Sequence, residues 1–142
     1  MVLETTHRDK EVLFTIDMHL GKPFSLWKRL QMGGIGSTRM MVKAYSTHFT
    51  ARLSANRDIT YANIELRPKG IILHFNKRLC QYSWIIPYED LNVSEAENFS
   101  IYTLERFMEF EKNSYYAKNK DFISKMMALK EDFMRLQAGN GT

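Results

Sequence analysis

The sequence predicts a mainly β domain: a strongly curved antiparallel sheet or barrel with one C-terminal amphipathic helix, preceded by an N-terminal strand and a short helix. Three observations carry this. Residues 59–91, ITYANIELRPKGIILHFNKRLCQYSWIIPYEDL, hold three strand-like runs and two compact turns. Further short runs on both sides alternate apolar and polar residues, the signature of half-buried strands. Residues 122–136 carry one apolar stripe at helical spacing.

In the central stretch, Ile59, Tyr61, Ile64 and Leu66 favour a pleated, half-buried backbone. Arg67-Pro68-Lys69-Gly70 suits a tight turn, because proline presets φ and glycine tolerates the exit geometry. Ile71, Leu73 and Phe75 then share one face, with His74 opposite as an exposed or hydrogen-bonded strand histidine. Asn76-Lys77-Arg78 reads as a second turn. Cys80, Tyr82, Trp84 and Ile86 line one face of the next strand, with Gln81 and Ser83 on the other. Pro87 has no N–H for a ladder, so it ends that strand or sits at an edge. The pattern is a three-stranded antiparallel meander.

Before it, residues 1–10 are polar and expected to be mobile. Residues 11–20 alternate: Val12, Phe14, Ile16, Met18 and Leu20 against Glu11, Thr15, Asp17 and His19. This predicts an amphipathic strand, with Leu13 the exception. In residues 24–32, Ser25 can cap a short helix that groups Leu26, Trp27 and Leu30 beside Lys28 and Arg29. One reading is a membrane-surface or partner-docking segment. The other is an ordinary helix plugging the barrel end, with Trp27 buried; the shortness of the segment favours it. Gly33-Gly34-Ile35-Gly36-Ser37-Thr38 lacks the lysine of a phosphate-binding loop and reads as a flexible connection. Residues 38–53 alternate as one bent strand or two short ones, and 54–58 read as a turn.

After the meander, short strands are predicted around Leu91 and Val93, over 99–103, and over 106–111 with Met108 and Phe110 paired. Residues 112–118 read as a loop. In the final helix Asn119 suits the N-cap and Asp121 the first turn. Phe122, Met126, Leu129, Phe133 and Leu136 form the stripe, widened by Ile123, Met127 and Met134, and Gly139 can end the helix.

At 142 residues the chain fits a single domain, 1–142, with a core of its own and a short tail at 139–142. It has no apolar run long enough to span a membrane, and its start lacks the apolar core of a secretion signal. A lone cysteine, Cys80, excludes an internal disulfide framework. These features point to the cytoplasm. The net charge of +4 hides an asymmetry. Between Met18 and Arg57 there is no acidic residue, whereas from Glu89 to Glu111 the acids face only Arg106 among strong bases. Such segregation steers acidic partners to one side, unless the two stretches meet and neutralise each other.

His7, His19, His48 and His74 are scattered and have no metal-ligand spacing with Cys80. Glu109 and Glu111 read as one exposed strand face. No catalytic, metal or cofactor residues are assigned, and no enzymatic activity is expected.

Many short antiparallel strands followed by one C-terminal helix resemble the pleckstrin-homology (PH-like) superfold. The segment GIILHFNKRLCQYSWIIPYEDL is similar to bacterial PH-like domains, in which a strand, a turn and a second strand lead into an I-P-x-x-D-[IL] stretch. Ile86-Pro87-Tyr88-Glu89-Asp90-Leu91 matches that stretch. The resemblance covers residues 48–136 and extends to bacterial proteins of the Bacteroidetes type. The phosphoinositide-binding cations of eukaryotic members have only Arg52 and Arg57 as counterparts, so headgroup recognition is not carried over. The resemblance implies a PH-like fold and a non-catalytic binding or scaffolding module. Its candidate surface for acidic partners is Lys22, Lys28, Arg29, Arg52, Arg57, Lys77 and Arg78. Two alternatives stand beside it. One is single-stranded nucleic-acid binding, with Tyr61, Tyr82 or Trp84 as stacking platforms. The other is a barrel holding a small apolar ligand. Partner identity and self-association are left open.

Overall fold

The central hairpins set the frame of the computed structural model, which describes residues 1–46, 59–77 and 79–140, with only the backbone of residue 140. Strands β3 (Tyr61–Arg67), β4 (Gly70–Lys77) and β5 (Cys80–Pro87) form the predicted meander. Pro68 and Lys69 make the first turn, closing on the Arg67–Gly70 pair. Gly70 is required there by close approach. A Cβ would lie 2.7 Å from Leu20 Cδ2 and 2.8 Å from Pro87 Cα, and would strike the Ile86 carbonyl. Pro87 ends β5, as expected. The second turn falls later than expected, because β4 runs on to Lys77, paired with Cys80. Arg78 lies outside the described residues.

Strand β2 (Met40–Tyr45) joins this meander to a second one, β6 (Asn92–Glu95), β7 (Phe99–Tyr102) and β8 (Phe107–Phe110). Met40 and Met41 pair with Ala62 and Tyr61, whereas Val42, Ala44 and Tyr45 pair with Phe110, Glu109 and Met108. The register shifts between Val42 and Ala44. One extra residue there bends the strand, so it serves both meanders. The described part of the stretch read as one or two strands is therefore a single bent strand. Residues 47–53 and the expected turn at 54–58 lie outside the described residues. With β1 (Val2–Glu4) added beside β5, the described strands form one antiparallel sheet ordered β1-β5-β4-β3-β2-β8-β7-β6. It is open rather than closed into a barrel.

One face of this sheet carries the main core. Ile64, Leu66, Ile71, Leu73, Trp84, Ile86, Phe99, Ile101, Met108 and Phe110 are buried there. Phe122, Ile123 and Met126 of the C-terminal helix α4 (Lys120–Asn140) close over them. The predicted stripe holds in its first half and then thins: Leu129 and Phe133 are half-buried and Leu136 is exposed. Gly139 does not end the helix, which continues to Asn140.

Three segments correct the expectations. Residues 11–20 are a helix, α1 (Lys10–Leu20), not a strand. Val12, Ile16 and Leu20 satisfy the helical i, i+4 spacing as well as alternation, and tertiary contacts decide between them. Asp9 caps the helix by accepting from the Val12 N–H at 2.9 Å, and Gly21 ends it at φ 79°. Ile16 and Leu20 pack on Ile72 and Ile85, on the sheet face opposite the main core. Phe14 and Met18, core residues in the strand reading, are exposed. Within the first ten residues, expected to be mobile, Val2–Glu4 pairs with β5 and Thr5 is buried. The loop expected over 112–118 contains a short helix, α3 (Ser114–Lys118), capped by Asn113.

Asn119 is not the side-chain cap of α4. Its carbonyl accepts the Ile123 N–H, but its side chain turns to Thr38, accepting from the N–H at 3.0 Å and the hydroxyl at 3.1 Å. Its amide donates to the carbonyls of Thr38 and Tyr115. The residue therefore ties the helical end of the chain to the lead into β2.

Candidate functional site

The predicted short helix forms as α2 (Leu26–Met32). Ser25 accepts from the Lys28 N–H at 3.2 Å, as a helix cap should. At its other end Gly33 is left-handed (φ 76°), and the Gly33 and Gly34 N–H groups bond back to Leu30 and Arg29. Phe24, Met32 and Ile35 pack against the main core. Arg29 Nε donates to the Phe24 carbonyl at 2.9 Å, and Lys125 Nζ to the Gly34 carbonyl at 3.1 Å. The helix is thus held at both ends and by one face.

Its other face is bare. Leu26, Trp27 and Leu30 are 75%, 72% and 70% exposed. This overturns the expectation that Trp27 is buried in a barrel plug. Phe24 and Met32 make the contacts that Trp27 was expected to make.

The candidate cations separate. Lys22 and Lys28 are exposed and Arg29 is half-buried against its own segment. Lys77 is 7% exposed and presents little surface. Arg52, Arg57 and Arg78 lie outside the described residues. Arg39, in the acid-free interval but not among the candidates, is exposed. Its guanidinium sits 4.4 Å from the Tyr61 ring centroid and 5.5 Å from that of Tyr115. Lys118 lies 6.0 Å from the same Tyr115 ring. Beside this cluster is a polar cleft of about 340 Å³ lined by Arg39, Tyr61, Asn63, His74, Asn76 and Gln81. Of the proposed stacking platforms, Trp84 is buried in the core and Tyr82 stacks on Phe75 at 5.6 Å. Tyr61 is half-buried beneath Arg39.

Basic and acidic stretches meet along the backbone, since β2 pairs with β8. Among the described residues, no ion pair joins Lys22, Lys28, Arg29, Arg39 or Lys43 to the acids of residues 89–111.

Under α1 lies a polar network that the sequence does not announce. His74 Nε2 is 3.0 Å from Glu65 Oε1, and His74 Nδ1 is 2.8 Å from Ser83 Oγ, itself 2.9 Å from Thr5 Oγ1. Arg67 Nε donates to Glu65 at 2.8 Å, and its Nη1 reaches Asp17 at 3.1 Å. Burial alone would raise the Glu65 pKa. The hydrogen bonds from His74 and Arg67, helped by the Arg67 and His74 charges, prevail and hold it at about 2. An ionised carboxylate only accepts, so Nε2 carries a proton; Nδ1 accepts from Ser83 in the neutral ring and donates to it in the charged one. Serine, histidine and glutamate in sequence resemble a nucleophile with its base and orienting acid. Ser83, however, is fully buried, with Thr5 on its hydroxyl, so an acyl carbon has no approach to Oγ. The arrangement satisfies buried polar groups beneath a helix.

A second cleft, of about 530 Å³, is bordered by His19, Pro87, Glu89, Asp90, Glu105 and Arg106. Its rim sets the carboxylates of Glu89, Asp90 and Glu105 against Arg106 and the Met1 ammonium, so it presents no basic face. No family model, curated protein or solved structure matches this chain.

Proposed function

We propose that this chain is a non-catalytic binding or scaffolding module with a PH-like fold, holding acidic partners on a basic surface. One observation carries the reading: Lys22, Lys28, Arg39 and Lys43 are exposed and, among the described residues, form no ion pair with the acids of the opposing stretch. Two consecutive antiparallel meanders followed by a C-terminal helix support the PH-like part. The free thiol of Cys80 suits a reducing compartment such as the cytoplasm.

The test is binding of the whole chain to an acidic peptide, an oligothymidylate and anionic vesicles across a salt series. Affinity for at least one should fall steeply with salt, because ion release drives such contacts. Joint replacement of Lys22, Lys28, Arg39 and Lys43 by Gln should flatten that slope. Absence of binding to all three at low ionic strength would reject the reading.

Single-stranded nucleic-acid binding is the second reading, and the Arg39–Tyr61–Tyr115 cluster favours it. In that case Tyr61→Ala should weaken oligothymidylate binding by about 1–3 kcal/mol. The small-ligand alternative has less support, since Trp84, Tyr88, Phe99 and Phe110 fill the space that a barrel ligand would take.

A further inference from the structure

We infer that the outer face of α2 is an anchor for an anionic lipid bilayer, with Leu26, Trp27 and Leu30 entering the headgroup–acyl boundary. The inference rests on the basic-surface reading and names the class of acidic partner. At about 100° per residue, these three side chains fall in one arc roughly 100° wide. Arg29 lies roughly 60° beyond Leu26 on one side; on the other, Gln31 follows roughly 40° beyond Trp27 and Lys28, exposed, roughly 100° beyond it. Whatever covers the face must be apolar at its centre and acidic at its rim. Lipid acyl chains beneath anionic headgroups meet both demands, and tryptophan favours that boundary because its ring is apolar and its N–H polar.

Two other occupants fit less well. A protein groove that grips a helix uses anchors at i, i+3, i+4 and i+7. Here the anchors end at Leu30, and the helix stops at the left-handed Gly33. A second copy of this chain meeting face to face would set the flanking cations of one copy against those of the other.

The support for α2 matters as much as its exposure. The Ser25 cap, the Gly33–Gly34 ending and the packing of Phe24 and Met32 present the arc already ordered. Little ordering remains to be done on binding. A helix this short, without a second anchor, gives weak and reversible attachment that depends on charge.

The experiment uses the full chain with vesicles of phosphatidylcholine alone and of phosphatidylcholine mixed in equal parts with phosphatidylglycerol. Trp84 is buried and reports little change, whereas Trp27 is exposed. Adding the mixed vesicles should shift the emission to the blue and phosphatidylcholine alone should not. L26S/W27S/L30S should lose at least tenfold in affinity for mixed vesicles, measured by sedimentation, while keeping its melting temperature and its binding to oligothymidylate or acidic peptide. Lys28→Glu should weaken vesicle binding without unfolding the chain. Vesicle binding that survives the triple substitution would overturn the anchor and leave the basic surface standing. So would binding to peptide or oligonucleotide with none to vesicles. A wild-type dimer that the triple substitution turns into monomer would overturn the anchor in favour of a second copy. No binding to any acidic probe would overturn both proposals.

Discussion

At Glu65 two effects oppose each other. Burial favours the neutral acid, and hydrogen bonds from His74 and Arg67 favour the carboxylate. The second effect wins. The fall from 4.5 to about 2 corresponds to roughly 3 kcal/mol of differential interaction. A carboxyl whose pKa is lower in the folded chain contributes stability that is complete above the unfolded value. That stability is lost as pH falls from about 4.5 toward 2. Glu65→Gln should therefore cost about 2–3 kcal/mol near neutral pH, and the gap to wild type should close in acid. Urea unfolding across that pH range measures it; a gap that is absent at neutral pH, or that stays constant as pH falls, would show that the Glu65 carboxylate does not stabilise the fold. Asn119 is the other buried polar residue on which much depends. Asn119→Ala removes the acceptor for the Thr38 N–H and should cost about 2–3 kcal/mol by chemical denaturation.

Among the elements, α4 holds the sheet with its first half only. Met126, in that half, is fully buried in the main core, whereas Phe133 is half-buried beside Tyr88, their ring centroids 5.6 Å apart. Met126→Ala should cost about 2–5 kcal/mol and Phe133→Ala about 1–3 kcal/mol. Equal losses in thermal or urea unfolding would mean that the distal half of α4 is as firmly docked as the proximal half. The central meander was legible because its runs alternate strictly and its turns carry proline, glycine or clustered polar residues. Helix α1 was not. Ile16 and Leu20 lie on one face under either period, and only contact with Ile72 and Ile85 selects the helix. Helix α3 escaped notice because its signal is one capping asparagine, Asn113, before two tyrosines.

Across the whole molecule, protection should follow the sheet order. Strand β4 is flanked by β3 and β5, with the main core on one face and α1 against its Ile72 on the other. Strands β1 and β6 form the two edges of the sheet. Amide hydrogen exchange should be slowest in β4, approaching the rate of global unfolding, and fastest in β1 and β6. Rapid exchange in β4 would contradict this architecture. The charge pattern belongs to the same scale. An acid-free stretch and an acid-rich stretch run side by side at the β2–β8 junction without an ion pair between them among the described residues.

Sequence alone determined the β character, the hairpin at Pro68–Lys69, the main-core face of β4 and β5, and the cap and length of α2. Each depends on local periodicity, on proline and glycine stereochemistry, or on one capping hydroxyl. The tertiary structure decided which apolar residues find partners. Periodicity counts Phe14, Met18 and Trp27 as apolar but carries no information about distant surfaces. Phe24 and Met32 take the core contacts, so Leu26, Trp27 and Leu30 face outward. The same holds for Glu65, His74 and Ser83. They are polar residues on adjacent strands that become one network only when pairing aligns β3, β4 and β5 beneath α1.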